Sequence, residues 1–575
     1  MNIFENYKKK IQDLVTANCD NFNIDPKVSF EGVVIEIPPQ EFNFDLSSNI
    51  ALILAKKTKQ SPVKLANLIK DLLLKNIDDF SEVTIAGPGF INFRFNSKTY
   101  QNIILEILKS NEKYGSSSKI KKNYNIEFVS ANPTGPMHIG HSRGAIYGDV
   151  LANLLKFNGN IVTKEYYIND YGNQIINFTK SVFLRLREIK FNEKFVNKED
   201  LYPGDYVIDI AKKILIEEPE INLTDFKKIY PMLSEIALKY SMILIKNDLK
   251  SLGISHDNFV SENSLVKKDL VAKSIKQLQE KKFVEEGYLN PPKGEDSKNW
   301  KKTKRLIFKS TLFGDDADRA LQKNDGSWTY FANDIAYHAD KVSRNYNCLI
   351  NILGADHTGY IKRISAATNA LSDNKINLIC RVCQLVKLFK NGQPYKMSKR
   401  AGDFISVSEF LNEVDKDSIR FMMLNRSNDV ELDFDFDKVL EKTRENPVFY
   451  VQYSYARISS LFRTLNIETK KVFQINESDF KLNIHELGLF RKILDWPKVI
   501  ETASIKFEPH RVPFYLYELA TLFHSYWSKG NEDPAYKFII DGKIKSNNTL
   551  LIIKLVALTI ENGMKILGVS LPTKM

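Results

Sequence analysis

At 575 residues, with 43% hydrophobic and 26% charged side chains, the chain is too long for one core and suits a globular protein of three or four domains. The opening MNIFENYKKKIQDLV has no apolar run behind its charges, and the apolar TLLIIKLVALTI is short and broken by Lys554, so neither a secretory signal nor a membrane span is expected and a cytoplasmic chain is. A formal charge of +12, from 82 Lys and Arg against 70 Asp and Glu, fits a polyanionic partner that releases counterions, and equally the Asn-, Lys- and Ile-rich usage of an AT-rich genome.

Residues 1–115 read as an α+β module. LSSNIALILAKKTKQSPVKLANLIKDLLLK has helical spacing, and SEVTIAGPGFINFRFN alternates like strands around a Gly-Pro-Gly turn. The polar, serine-rich SNEKYGSSSKIKKN reads as a linker. From Asn125 the pattern becomes strand (NIEFVSA), loop, helix (HSRGAIYGDVLANLLKFNG, with Gly159 just past its end) and strand (NIVTKEYYIND). That βαβ unit predicts a parallel, doubly wound sheet. A charged, helical, motif-poor segment from about 180 to 310 reads as an insertion. Strand-like text resumes at WTYFANDIAYHADK, CLINILGADHTGYIKR and INLICRVCQLVKLF, and beyond Asn446 the chain reads as helical and aromatic. Four cysteines make no disulfide framework, and the lone C-x-x-C at Cys380 and Cys383 lacks the second pair a four-ligand zinc site needs, so both are read as small hydrophobes in a strand.

Two stretches carry chemistry. In SANPTGPMHIGHSRGAIYGD, His138 and His141 stand at a helix start beyond a strand end, where free N–H groups and a positive dipole end favour anions. Gly140 between them lets a flat base or ribose approach the backbone. Two imidazoles there suit a triphosphate whose α-phosphorus gains charge as it is attacked. The bland alternative is a helix cap with incidental histidines. The second stretch is YKMSKRAGDF, 258 residues on, where Lys396, Lys399 and Arg400 lie in a Gly-flanked loop; ammonium groups there can follow a departing pyrophosphate, or can form a solvated face.

Together the pair resembles the HIGH and KMSKS signatures of class I aminoacyl-tRNA synthetases, as His138-Ile139-Gly140-His141 and Lys396-Met397-Ser398-Lys399-Arg400, with Arg400 departing from the usual Ser. Around them EFVSANPTGPMHIGHSRGAIYGD, YYINDYGNQI, YPGDYV, STLFGDDADRAL, DGSWTYFANDIAYHADK, GADHTGYIKR, DFDFDKVLEKTRENPVFYVQYSYARISSL and LGVSLPTKM resemble the arginyl-tRNA synthetase family almost end to end. The resemblance implies a multidomain α/β protein. Its parts would be an N-terminal α+β module (1–115) meeting the tRNA elbow, a Rossmann-like catalytic core with a parallel sheet (120–445, with the insertion at about 180–310) and a C-terminal all-α helical bundle (446–575) meeting the anticodon stem.

The reaction implied is activation of L-arginine by ATP with Mg2+ and esterification of the 3′ end of tRNA(Arg), with no tightly bound cofactor and no metal-ligand set. His138, His141, Lys396 and Lys399 would be catalytic. Pro133, Gly140, Asp356, His357, Met397 and Ser398 would join them around ATP. Glu127, Ser130, Asn132, Tyr330, Asp334 and His357 would bind arginine. Phe90, Asn92, Tyr453 and Arg457 would touch tRNA. A monomer without membrane attachment is implied, as is arginine activation that requires bound tRNA. Physics agrees at Glu127: a carboxylate inside the apolar NIEFVS is costly unless a cation meets it, and a guanidinium fork does so, as would a protein Lys or Arg. No nucleophilic side chain is expected, because the substrate's own carboxylate attacks. Two rivals are a small-molecule carboxylate-adenylating ligase, which needs neither terminal module, and a non-catalytic tRNA-binding descendant, which would show decay of a signature.

Overall fold

A computed structural model describes residues 2–117, 121–289, 303–395, 405–467 and 480–575. They pack as two compact units, one of residues Lys119–Glu441 and one combining Met1–Ser118 with Lys442–Met575.

The first unit is organised by a five-stranded parallel sheet. In chain order it contains β1 (Asn123–Glu127), α1 (Ile139–Phe157), β2 (Ile161–Ile168), α2 (Phe226–Ser251), β3 (Asn258–Ser261), α3 (Tyr330–Ser343), β4 (Cys348–Gly354), β5 (Asn377–Cys383) and β6 (Val386–Lys390). The sheet order is β5-β4-β1-β2-β3. The register sets Glu127 of β1 between Glu165 of β2 and Asn351 of β4. β1 lies at the sheet's centre, which is why NIEFV is a near-continuous apolar run. α1 stops at Asn158, and Gly159 follows at φ +85°, the left-handed turn that ends a helix without a Cβ clash. β6 lies outside this sheet, paired in parallel with Leu432–Asp435.

Two expectations are corrected. WTYFANDIAYHADK, read as strand-like, forms the helix α3, because Phe331, Ala332, Ile335 and Ala336 recur at helical spacing and pack into the core. The 180–310 segment is not wholly an insertion: β3 joins the main sheet beside β2, and α2 sends Asp248 back to the loop before α1. Cys380 and Cys383 lie in β5, and all four cysteines are free; burial pushes the Cys380 thiol up to about 11 and the Cys383 thiol up to about 12. Among the described residues no group of His, Cys, Asp or Glu is arranged to hold a metal ion.

In the second unit, a four-stranded sheet with the hairpin Phe80–Ala86/Phe90–Phe95 packs with the C-terminal helices. Asp45, fully buried, accepts from Arg491 Nε at 2.9 Å and from the Tyr100 hydroxyl. The stretch read as a linker begins inside this core. Tyr114 is fully buried and donates to the Ile493 carbonyl at 2.8 Å, and a Cβ on Gly115 (φ +98°) would stand 2.4 Å from the Trp496 indole nitrogen. Among the described residues the C-terminal part is mainly helical and carries one two-residue antiparallel ladder, Ile539–Ile540 with Lys543–Ile544, which the all-α expectation did not include. TLLIIKLVALTI lies within the helix Asn547–Leu567, and no helix among the described residues is long and apolar enough to cross a membrane.

Candidate active site

The site forms at the carboxyl ends of β1 and β4 and the start of α1. After Glu127 the chain turns through Val129 (φ +71°) and Ser130 (φ +42°). A β-branched residue in the left-handed region is strained, and such strain gathers where surrounding contacts fix a binding loop. Ser130 Oγ supplies two of those contacts, donating to Glu127 Oε1 at 3.1 Å and accepting the Tyr167 N–H at 3.1 Å. The loop continues through exposed Asn132, whose Oδ1 accepts from Asn169 at 3.2 Å, and buried Pro133. It ends on Met137, whose N–H donates to Asp248 Oδ2 at 2.8 Å.

His138 caps α1 and His141 follows on its first turn, with ring centroids 3.8 Å apart. Burial holds the His138 imidazole below its ordinary value and, together with the His138 charge, lowers His141 to about 4. Both rings are therefore neutral near pH 7. The His138 N–H donates to His141 Nδ1 at 3.3 Å, which leaves the His141 ring proton on Nε2. A Cβ at Gly140 would stand 2.9 Å from the His138 ring. The approach to the second signature is also fixed: Ile139 N–H donates to the Ile405 carbonyl at 2.9 Å and Val407 N–H to the Met137 carbonyl at 3.0 Å. Lys396, Met397, Ser398, Lys399 and Arg400 lie outside the described residues, but the backbone that follows them is hydrogen-bonded to the start of α1. Beyond β4, Asp356 and His357 are both exposed, with His357 Nε2 3.4 Å from Asp356 Oδ2.

The acidic side is built by β1 and one face of α3. Asp334 and Lys341 stand seven residues apart, two turns along that face. Glu127 Oε2 accepts from Lys341 Nζ at 2.5 Å, so the cation that this carboxylate demands is present as a protein lysine, the alternative left open above. Lys341 is fully buried; it also donates to Asn351 Oδ1 at 3.1 Å and lies 4.4 Å from the Tyr337 ring centroid. Asp334 differs. It accepts from the Tyr360 hydroxyl, and among the described residues no Lys or Arg pairs with it. Burial pushes its carboxyl up to about 7, with the Glu127 charge adding to the rise and Tyr360 and Lys341 opposing it. Next to it in sequence, Asn333 donates to Glu262 Oε1 at 2.7 Å, and burial pushes Glu262 up to about 7 as well. Tyr330 is 63% exposed and lines a cleft of about 1010 Å³ with Asp170, Asn263, Lys267, Trp328 and Asn333.

Lys341, Tyr360, Glu262 and Asn333 were not singled out from the sequence. Reading α3 as a strand hid the first, because Lys341 shares a face with Asp334 only in a helix.

The four residues suggested for RNA contact lie in the other unit. Phe90 is half-buried on its strand, and Asn92 is 3% exposed. Asn92 alternates with the core residues Ile91 and Phe93 and so shares the strand face of half-buried Phe90 and Arg94, where little of it is left open to solvent. The Arg457 guanidinium lies 4.3 Å from the Tyr453 ring and 5.2 Å from that of Trp527, and Nη1 is 3.0 Å from His524 Nδ1.

Comparison with known proteins agrees along the whole chain. Residues 5–95 match the family described as arginyl tRNA synthetase N terminal domain, 103–462 the tRNA synthetases class I (R) catalytic domain, and 451–575 the DALR anticodon binding domain. The arginine--tRNA ligase of Pelagibacter ubique is 51% identical over 577 residues, covering 100% of both chains. That of Ehrlichia ruminantium (strain Welgevonden) is 43% identical over 571 residues, covering 98% of each. The Thermus thermophilus arginyl-tRNA synthetase structure shares the fold, with a TM-score of 0.70 over 99% of this chain and 100% of its own at 19% identity.

Proposed function

The chain belongs to the class I arginyl-tRNA synthetase family, and from that premise we propose how it acts as an arginine--tRNA ligase. Arginine's carboxylate attacks the α-phosphorus of ATP: a carboxylate O–P bond forms, the bond to the β-phosphate oxygen breaks, and pyrophosphate departs. A terminal ribose hydroxyl of tRNA(Arg) then attacks the activated carbonyl and releases AMP.

His141 presents its Nε2–H to the α-phosphate with His138 beside it, both as neutral donors that need no proton transfer. Pro133, Gly140, Asp356 and His357 take the nucleotide together with Met397 and Ser398, and Mg2+ accompanies ATP as part of the substrate. Lys396 and Lys399 follow the pyrophosphate. Glu127 and Asp334 receive the guanidinium, Tyr330 and His357 line the amino-acid pocket, and Ser130 and Asn132 serve its α-amino end. Residues 1–115, with Phe90, meet the tRNA elbow; residues 446–575, with Tyr453 and Arg457, meet the anticodon stem. The chain works as a cytoplasmic monomer and activates arginine only with tRNA bound.

The observation that carries this reading is Asp334: a half-buried carboxyl with no cation of its own among the described residues, close enough to Glu127, where the loop leading to His138 begins, to feel its charge. Charging of total tRNA with each amino acid in turn tests it. Arginine alone should be esterified, and equal charging with another amino acid would overturn the assignment of the pocket. ATP–pyrophosphate exchange with and without tRNA tests the RNA requirement, which full exchange without RNA would refute. Lys399→Ala should slow activation with little change in arginine affinity.

A further inference from the structure

Lys341 is the cation that the proposed mechanism does not use. It is fully buried on α3, yet its ammonium is aimed at Glu127, a residue assigned to the substrate. Its other partners, Asn351 Oδ1 at 3.1 Å and the Tyr337 ring, hold it in one position. Glu127 is fixed from its other oxygen by Ser130. An unpaired carboxylate would repel the neighbouring Asp334 and be held by Ser130 alone, whereas one held from both oxygens presents a fixed acceptor.

We infer that Lys341 is a specificity-determining residue for the amino acid, an internal countercharge that converts Glu127 from a free charge into an oriented hydrogen-bond acceptor and leaves Asp334 to answer the charge of the guanidinium. The inference rests on the assignment of Glu127 and Asp334 to arginine. It has a consequence that packing alone does not. Substituting Glu127 by glutamine removes an acceptor and also strands the Lys341 ammonium, buried and unpaired, next to an incoming cation. Removing Lys341 as well should then restore affinity rather than reduce it further.

The test is equilibrium binding of L-arginine to the full-length chain by calorimetry, with ATP binding and far-ultraviolet circular dichroism as controls. Truncating one partner of a buried charge pair costs several kcal/mol, so Glu127→Gln and Lys341→Met should each weaken arginine binding by about 100-fold while leaving ATP binding nearly unchanged. The double variant should bind arginine about tenfold more tightly than Glu127→Gln alone. If Lys341→Met does not fold, Lys341→Gln, which keeps a donor for Glu127, makes the same comparison. A double variant that binds no better than Glu127→Gln overturns the inference and returns Lys341 to a packing role. Unchanged arginine affinity in Glu127→Gln would instead remove Glu127 from the pocket, and the inference would fall with that assignment.

Discussion

On α1, Asp149 is 2% exposed and receives Lys164 Nζ at 3.0 Å and Arg420 Nη2 at 2.6 Å, two cations for one carboxylate. On α3, Asp334 receives one phenol, and nearby Glu262 receives one amide. Both regions belong to the same unit, yet only Asp149 has cations of its own, whereas Lys341 on α3 is paired with Glu127 rather than with Asp334. A carboxyl met by neutral donors alone costs free energy of folding, a cost that a cation arriving from outside would offset. The compensated network holds α1 to its neighbours. The uncompensated one is where, on the proposed assignment, the guanidinium would bring the missing charge.

The sharpest way to break this comparison is to exchange the two kinds of acid for their amides. Asp149→Asn strands two buried cations and should lower the stability of the unit by about 3–5 kcal/mol, read as a fall in the urea midpoint. Asp334→Asn should do the reverse: stability within about 1 kcal/mol of the parent, because no ion pair is lost, but arginine binding about 100-fold weaker by calorimetry. Large stability loss in Asp334→Asn, or none in Asp149→Asn, would erase the distinction.

Titration sharpens it further. Burial pushes the Asp334 carboxyl up to about 7, and on the proposed assignment a guanidinium binds its ionised form. Protons therefore compete with arginine below that pH, and affinity should weaken by up to about tenfold per unit between pH 7 and pH 5. The same series on Asp334→Asn should be nearly flat over this range. A parent affinity that does not change with pH would mean that Asp334 already holds its charge. The smallest effect belongs to Tyr360→Phe, which removes the one donor opposing the rise from Asp334's own hydrogen bond. It should move the acid limb to higher pH and weaken arginine binding at pH 7 by about fivefold, because a rise of about one unit cuts the ionised fraction at pH 7 from about a half to about a tenth.

Much of this site was legible along the chain. Glu127 in NIEFVS and the imidazoles at His138 and His141 stand out in the sequence because each breaks a local rule, an acid in an apolar strand or titratable rings at a helix start, whereas Asp334 in YFAND enters only through the family resemblance. Lys341 breaks no such rule. In a stretch read as a strand it is one more surface lysine, and its burial follows only from the helical spacing that carries Phe331 and Ile335 into the core. β3 was hidden for a similar reason, since four half-buried residues within a long charged segment carry too little apolar pattern to announce a sheet edge. Tyr114 was hidden by polar neighbours.

Local order along the chain therefore sufficed for the βαβ core and for the anion-binding chemistry of the two motifs, because backbone preferences and motif chemistry act over a few residues, while the reaction itself was implied by the family resemblance. Which acids would find a cation inside the protein was settled only by folding. Charge pairing depends on distances between elements far apart in the chain, such as the 214 residues separating Glu127 from Lys341.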